Sequence, residues 1–132
     1  MKRILITGAT GGIGSELVRL YTSQNYFVLA FGTNTEKLDL LKETYKDRIE
    51  VFSCDMSNKD SIKSIFEKNE SELSNINILI NNAGITRDNL FVRLTDDDWA
   101  DVMNINFIAH TVISKLVLKG MMKKRWGRIV SI

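Results

Sequence analysis

Proline is absent from the 132 residues, and cysteine and histidine occur once each, as Cys54 and His110. A lone cysteine excludes an internal disulfide, and one Cys with one His cannot furnish a tetrahedral zinc set, so no metal centre is expected. Usual proline content of about 5% would put six or seven in such a chain; chance or missing sequence accounts for having none. Long apolar runs are also lacking. Lys2 and Arg3 precede Ile4-Leu5-Ile6, but that run stops at Thr7-Gly8, far short of a secretory h-region, and nothing approaches the ~18 to 20 apolar residues that span a bilayer. A cytoplasmic protein with no membrane partner is the expectation. Charge of one sign is scarce too: 18 basic against 16 acidic residues leave +2, too balanced for a dedicated nucleic-acid binder.

What the chain does contain is enough to fold. Leu, Ile, Val and Phe make up 42 of 132 residues, far above the roughly one-fifth level that signals disorder. The length fits one domain, residues 1–132, with a core sufficient without disulfide or metal. Short apolar runs alternate with helical periodicity. Ile4–Ile6 reads as a strand, then a glycine cluster, then a helix carrying Ile13, Leu17, Val18 and Leu20 at helical spacing. Tyr26–Phe31, Ile49–Phe52 and Ile76–Ile80 read as further strands, with helices over Thr35–Lys46 and Lys59–Leu73. This alternation predicts an α/β fold: a doubly wound parallel sheet with helices on both faces.

Thr95-Asp96-Asp97-Asp98 predicts an N-cap followed by carboxylates at the positive end of a helix. The helix should run through Trp99–Met122 toward the cations Lys119–Arg125 and stop at Gly127. Its apolar residues cover more than one stripe, so it is expected to pack on two sides, against the sheet and against a further helix or another subunit. Arg128–Ile132 begins a fifth strand.

The segment Thr7-Gly8-Ala9-Thr10-Gly11-Gly12-Ile13-Gly14 leaves a strand and opens a helix, the context in which glycine spacing points to a dinucleotide. Gly8 would permit the tight turn, and Gly12 and Gly14 would let backbone and helix approach a diphosphate held at the helix N-terminus. The triplets Gly8/Gly11/Gly14 and Gly8/Gly12/Gly14 both fit, so the turn alone does not choose an enzyme class. No Gly-Lys-Ser/Thr is present, which excludes a Walker loop. Asn81-Asn82-Ala83-Gly84 ends the fourth predicted strand, where ligands gather in open parallel sheets.

The pairing of Thr-Gly-x-x-x-Gly-Ile-Gly at 7–14 with Asn-Asn-Ala-Gly at 81–84 resembles the short-chain dehydrogenase/reductase family. Asn82–Leu90, Trp99–Phe107 and Met121–Ile129 are similar, within it, to the 3-oxoacyl-(acyl-carrier-protein) reductase branch. The resemblance implies a Rossmann sheet of about five strands in the order 3-2-1-4-5, incomplete at its C-terminal edge, and a homo-oligomer, a tetramer in the full-length family. It implies that Gly8, Ala9, Thr10 and Gly11 wrap the cofactor phosphates while Gly12, Ile13 and Gly14 complete the turn. Many NADP-dependent relatives carry Arg where Gly11 stands, so one phosphate anchor is missing. Phe31-Gly32-Thr33-Asn34 has no carboxylate to repel a 2′-phosphate, which permits NADP, with Thr33 as its contact and Lys37 as a helper.

By the same resemblance, Asp55 accepts from the adenine amine and Met56 covers the ring; alternatively Asp55 caps the next helix, a task open also to Ser57, Asn58 and Asp60. Asn82, beside Ala83 and Gly84, would meet the adenosine ribose through its backbone, and Asn81 would tie neighbouring strands. Asn106 is the one family catalytic residue retained, holding a water that leads to the catalytic lysine, and its apolar surroundings suggest burial. Ketone reduction needs a proton donor poised near neutral pH, which the family builds from Ser, Tyr and Lys. Tyr21, Tyr26 and Tyr45 are followed four residues on by Asn25, Ala30 and Ile49, so no Tyr-x-x-x-Lys pair exists. The family serine would fall after Ile132. These 132 residues are therefore expected to be catalytically incomplete, with Arg128–Ile132 an apolar edge prone to association. Arg125 either docks an acidic acyl carrier protein or simply complements a helix C-terminus. His110 and Cys54 are read as packing residues, and Trp99 and Trp126 as core or interface aromatics. The expected activity is NADPH-dependent reduction of a 3-oxoacyl thioester. The rivals are a non-catalytic NADP-binding remnant and a dehydrogenase of the same family for another alcohol or ketone.

Overall fold

The computed structural model describes residues 1–132. Its centre is β1 (Arg3–Ile6), paired on one side with β2 (Phe27–Gly32) and on the other with β4 (Ile78–Asn81). β3 (Ile49–Ser53) lies outside β2, and β5 (Arg128–Ser131) outside β4, all parallel, in the order β3-β2-β1-β4-β5. This is the doubly wound sheet anticipated from the alternation.

The register explains why the inner strands read as unbroken apolar runs. Leu5 sits between Leu29 and Leu79, and Ile4 between Val28 and Ile78. Successive side chains point to opposite faces, and both faces are covered, so every position must be apolar. Leu5, Leu29, Phe31 and Leu79 pack against Ile62 and Phe66 of α3 (Lys59–Lys68) and Ile113, Val117 and Met121 of α6 (Ala109–Lys124). Ile4, Ile6, Val28 and Ala30 form the other core with Val18 of α1 (Gly12–Ser23) and, partly buried, Leu41 of α2 (Thr35–Tyr45).

Three local departures from expectation have identifiable causes. The helix foreseen over Lys59–Leu73 breaks at Asn69, whose amide N–H and side-chain Nδ2 both donate to the Ile65 carbonyl; α4 (Glu70–Leu73) then starts separately. Asparagine competes for backbone partners in this way and favours helix ends. The long helix begins as foreseen, with the Thr95 and Asp98 side-chain oxygens each accepting the other's amide N–H in a capping box, but it is not uniform. α5 (Asp96–Met103) passes through a π-helical turn at Asn104–Ile108 into α6. It ends at Arg125 in the left-handed conformation (φ 54°), so Gly127 is not the stop. Its buried face is Ala109, His110, Ile113, Val117 and Met121, while Trp99, Met103, Phe107, Leu118 and Met122 are exposed.

The two tryptophans are therefore not core residues. Trp99 meets Phe91 edge-on, and Trp126 is half-buried beneath Lys2 Nζ, 4.0 Å from the ring centroid, with Arg128 also against the ring. No helix is long and apolar enough to cross a membrane.

Candidate functional site

The chain leaves β1 for β2 on one side of the sheet and later enters β4 on the other, which makes the carboxyl ends of β1 and β4 the switch point of the topology. A cleft of about 560 Å³ opens there, walled by the turn after β1, the ends of β2, β3 and β4, and Ile105 of the π turn.

The turn after β1 is built by two glycines with different tasks. Gly8 has φ +63°, a conformation costly for other residues, and a Cβ there would also lie 2.9 Å from Ala83 Cα. A Cβ on Gly14 would run into the carbonyl oxygen of Gly8, so α1 can sit against the turn only with glycine there. Gly12 is different: nothing lies within 4 Å of where its Cβ would be. Packing does not demand glycine there, and Gly12 lines the cleft.

α1 starts after Gly11, which has no side chain to cap it, and its first turn carries no acidic residue. The first amide N–H groups of a helix have no intrahelical acceptor. Those of Gly12, Ile13 and Gly14 make no hydrogen bond, while Ser15 N–H already reaches the Gly11 carbonyl. Three donors at the positive end of a helix dipole, beside a cleft that Gly11, Gly12 and Gly14 line without side chains, suit a diphosphate.

Of the residues expected to meet a cofactor, Gly8, Thr10, Gly11, Gly12, Ile13, Gly14, Thr33, Asp55, Met56, Asn82, Ala83 and Gly84 all line this cleft. Ala9 does not. It is fully buried in the core on the α1 side, and its N–H donates to the Phe31 carbonyl, so it has no amide to offer phosphate. Gly32, Ile85 and Ile105 line the cleft unforeseen. Gly32 could have been suspected, since it immediately precedes Thr33 at the end of β2.

At the end of β3, Asp55 does not cap α3; Asn58 does, accepting from the amides of Asp60 and Ser61. One Asp55 carboxylate oxygen instead accepts from the Ser57 hydroxyl at 2.6 Å and the Ser57 amide at 2.9 Å. These two bonds, the hydroxyl first, hold the carboxyl below the usual aspartate range. Beside it, burial pushes the Cys54 thiol up to about 12, with the Asp55 charge adding to the effect. Such a thiol is inert near neutral pH.

The Asn82–Gly84 turn is held from several sides. Thr7, fully buried, accepts the amide N–H of Asn82 and of Ala83 on its hydroxyl oxygen. The Asn82 side chain donates to the carbonyls of Thr7 and Gly8, tying the β4 end to the glycine turn. Asn81 does not bridge strands with its side chain as expected; its Nδ2 donates to the Ser114 hydroxyl on α6.

Asn106 lies in the π turn, a distortion frequent at functional sites. Contrary to expectation, Asn106 and Phe107 are exposed rather than buried. The Asn106 side chain is nonetheless fixed: Oδ1 accepts from Ile85 N–H at 2.8 Å and Nδ2 donates to the Ile85 carbonyl at 2.9 Å. The three tyrosines are far from such a role, packed partly buried on the core under α1 and α2. Arg125 is an exposed residue at the opposite end of α6 from Asn106, beside a groove of about 490 Å³ bordered by Met122 and Trp126.

Known proteins match throughout. Nodulation protein G of Rhizobium sp. (strain N33) is 40% identical over 131 residues, 99% of this chain and 54% of that protein. The 3-oxoacyl-(acyl-carrier-protein) reductase of Rickettsia typhi is also 40% identical, over 99% of this chain and 53% of its own. The chain thus spans about half the length of the curated relatives it matches. Among solved structures, the closed form of serine dehydrogenase complexed with NADP+ superposes with a TM-score of 0.90 at 29% identity, covering 98% of this chain and 52% of that one. A short-chain dehydrogenase from Streptomyces avermitilis gives 0.92 at 25% identity, covering 98% and 48%. The short chain dehydrogenase family matches residues 2–132, and with its glycine turn, sheet order and Asn-Asn-Ala-Gly segment in place the chain belongs to that family.

Proposed function

We propose that these residues form the coenzyme half of an NADPH-dependent reductase acting on a 3-oxoacyl group carried by acyl carrier protein. The observation that carries the reading is the start of α1: three unpartnered amides facing a cleft into which Gly12 intrudes no side chain. The diphosphate is held there. The adenine end lies toward Asp55 and Met56, where one carboxylate oxygen remains free of Ser57. The absence of a carboxylate at Phe31–Asn34 favours a 2′-phosphate, with Thr33 and the exposed Lys37 as its partners. The likeness to a dehydrogenase complexed with NADP+ supports the same choice.

The cofactor, when bound, supplies hydride. What the chain itself does is bind, orient and fix the backbone around the reacting end. Thr7 and Asn82 lock the β4 turn, and Asn106 sets Ile85 between the cleft and a second cavity of about 260 Å³ that it borders with Trp99 and Val102. Protonating the alkoxide needs an acid near neutral pH, and none of the three tyrosines lines either cavity. These 132 residues therefore bind cofactor without turning over.

Similarity at 40% to a reductase of that name supports the acyl-carrier-protein branch, with Arg125 docking the acidic carrier. The exposed Met103, Phe107 and Met122 face of the long helix supports self-association. Equal similarity to nodulation protein G favours a second reading, in which the ketone is a different one. Titration calorimetry with NADPH and NADH, followed by an NADPH-oxidation assay with an acetoacetyl thioester, tests both levels. Binding of NADPH in preference to NADH, without turnover, is expected. No heat with either coenzyme removes the proposal.

A further inference from the structure

We propose that His110 is a positioning residue for the coenzyme cleft, holding its β4 wall from the helix side. The inference rests on the coenzyme reading of that cleft. His110 is about nine-tenths buried on α6, and its Nε2 lies 2.8 Å from the carbonyl oxygen of Ala83. A carbonyl only accepts, so Nε2 carries the proton and donates. Ala83 is itself buried and lines the cleft.

Its peptide groups are secured on both sides. The amide N–H of Ala83 reaches the Thr7 hydroxyl at 2.9 Å, and its carbonyl reaches His110. Four residues before His110, Asn106 grips the amide and carbonyl of Ile85. Asn106 and His110 thus form two rungs from one helix to alternate residues of a single turn, with Gly84 between them. Gly84 passes close to Asn106, since a Cβ there would be 3.3 Å from Asn106 Oδ1. Without His110 the buried Ala83 carbonyl loses its partner, at the full cost of an unsatisfied acceptor. The turn is then less firmly held against Gly8, where a Cβ would lie 2.9 Å from Ala83 Cα.

His110 is the only histidine, so its ring nitrogens are assigned without ambiguity in a nitrogen-15 spectrum of the protein. At pH 7 a protonated Nε2 with a slowly exchanging proton is expected, and its signal should move when NADPH is added. An unprotonated Nε2, or a proton exchanging at the rate of free imidazole, overturns the hydrogen bond whether or not coenzyme binds. In calorimetry, His110→Leu should weaken NADPH binding roughly tenfold, which corresponds to 1.4 kcal/mol. His110→Gln, whose amide nitrogen can take the place of Nε2, should restore most of the loss. Thermal melts establish that each variant is folded. If wild type binds NADPH and folded His110→Leu binds it equally well, the positioning role is refuted. If wild type shows a protected Nε2 proton but binds no coenzyme, the coenzyme reading fails while the hydrogen bond stands.

Discussion

The hydroxyl oxygen of Thr7 accepts the backbone N–H of Ala83 at 2.9 Å across 76 residues of sequence. Through this bond, and its companion to Asn82, the end of β1 and the turn after β4 become one rigid edge of the cleft. Thr7 has no exposed surface, so water cannot replace it.

Replacing Thr7 by Val keeps the shape and removes the acceptor from two amides. Each orphaned buried group costs ~1 to 3 kcal/mol, so urea unfolding should show a loss of about 2 to 4 kcal/mol. Thr7→Ser keeps the oxygen and should cost less than about 1.5 kcal/mol, the scale of one buried methyl. Equal losses for the two variants would show that the methyl, not the hydroxyl, matters.

Gly12 and Gly14 should separate folding from binding. Gly14→Ala forces a Cβ into the Gly8 carbonyl and should destabilise by about 3 kcal/mol, the upper end for overpacking. Gly12→Ala meets nothing and gains helix propensity, so its melting temperature should hold or rise. Its NADPH affinity should nevertheless fall at least tenfold if the proposed diphosphate lies against Gly12, which lines the cleft. Undiminished affinity for Gly12→Ala would place the diphosphate elsewhere.

Asn106→Ala removes both bonds to Ile85. The site is exposed and water takes up the freed groups, so a stability loss of only about 1 kcal/mol is expected. NADPH affinity should drop several-fold as the Gly84–Ile85 wall loosens. Asn106→Asp retains an acceptor for the Ile85 amide but sets a carboxylate against the Ile85 carbonyl. It should be less stable than Asn106→Ala at pH 7 and recover as the carboxyl protonates; a pH-independent difference between the two would argue against this geometry.

Acid should weaken the protein through Asp55 and Asp98. Both carboxyls are held below the usual aspartate value, Asp55 by the Ser57 hydroxyl and amide, Asp98 by the Thr95 amide and hydroxyl. A folded-state pKa below the unfolded one adds stability above the unfolded value, near pH 3.9. That contribution disappears as pH falls through the folded value. Denaturant midpoints should therefore decline below about pH 4, and Asp55→Asn should shallow the decline. An unchanged acid limb in Asp55→Asn would leave the Ser57 bonds without thermodynamic weight.

The alternation of apolar runs with helical spacing was sufficient to define the parallel sheet, because strands buried on both faces leave an unbroken pattern such as Ile4-Leu5-Ile6; its strand order came from the family resemblance. Short-range chemistry was equally legible: the Thr95–Asp98 capping box needs only residues three apart. Gly8 at a strand-to-helix turn pointed to the cleft for the same reason. Other features had no local signal. Ala9 sits in the glycine turn yet faces the core, since its amide answers to Phe31 on the neighbouring strand. The break at Asn69 depended on whether its side chain found the Ile65 carbonyl, and the exposure of Asn106 on a π turn that the apolar periodicity hides.

Thr7, Asn82, Asn106 and His110 form one bonded framework around residues 82–85 with partners drawn from up to 76 positions away. Local sequence determines which backbone conformations are cheap, and so it determined the elements and the cleft's glycines. Which buried polar groups find each other depends on how those elements pack, and only the tertiary structure decided that.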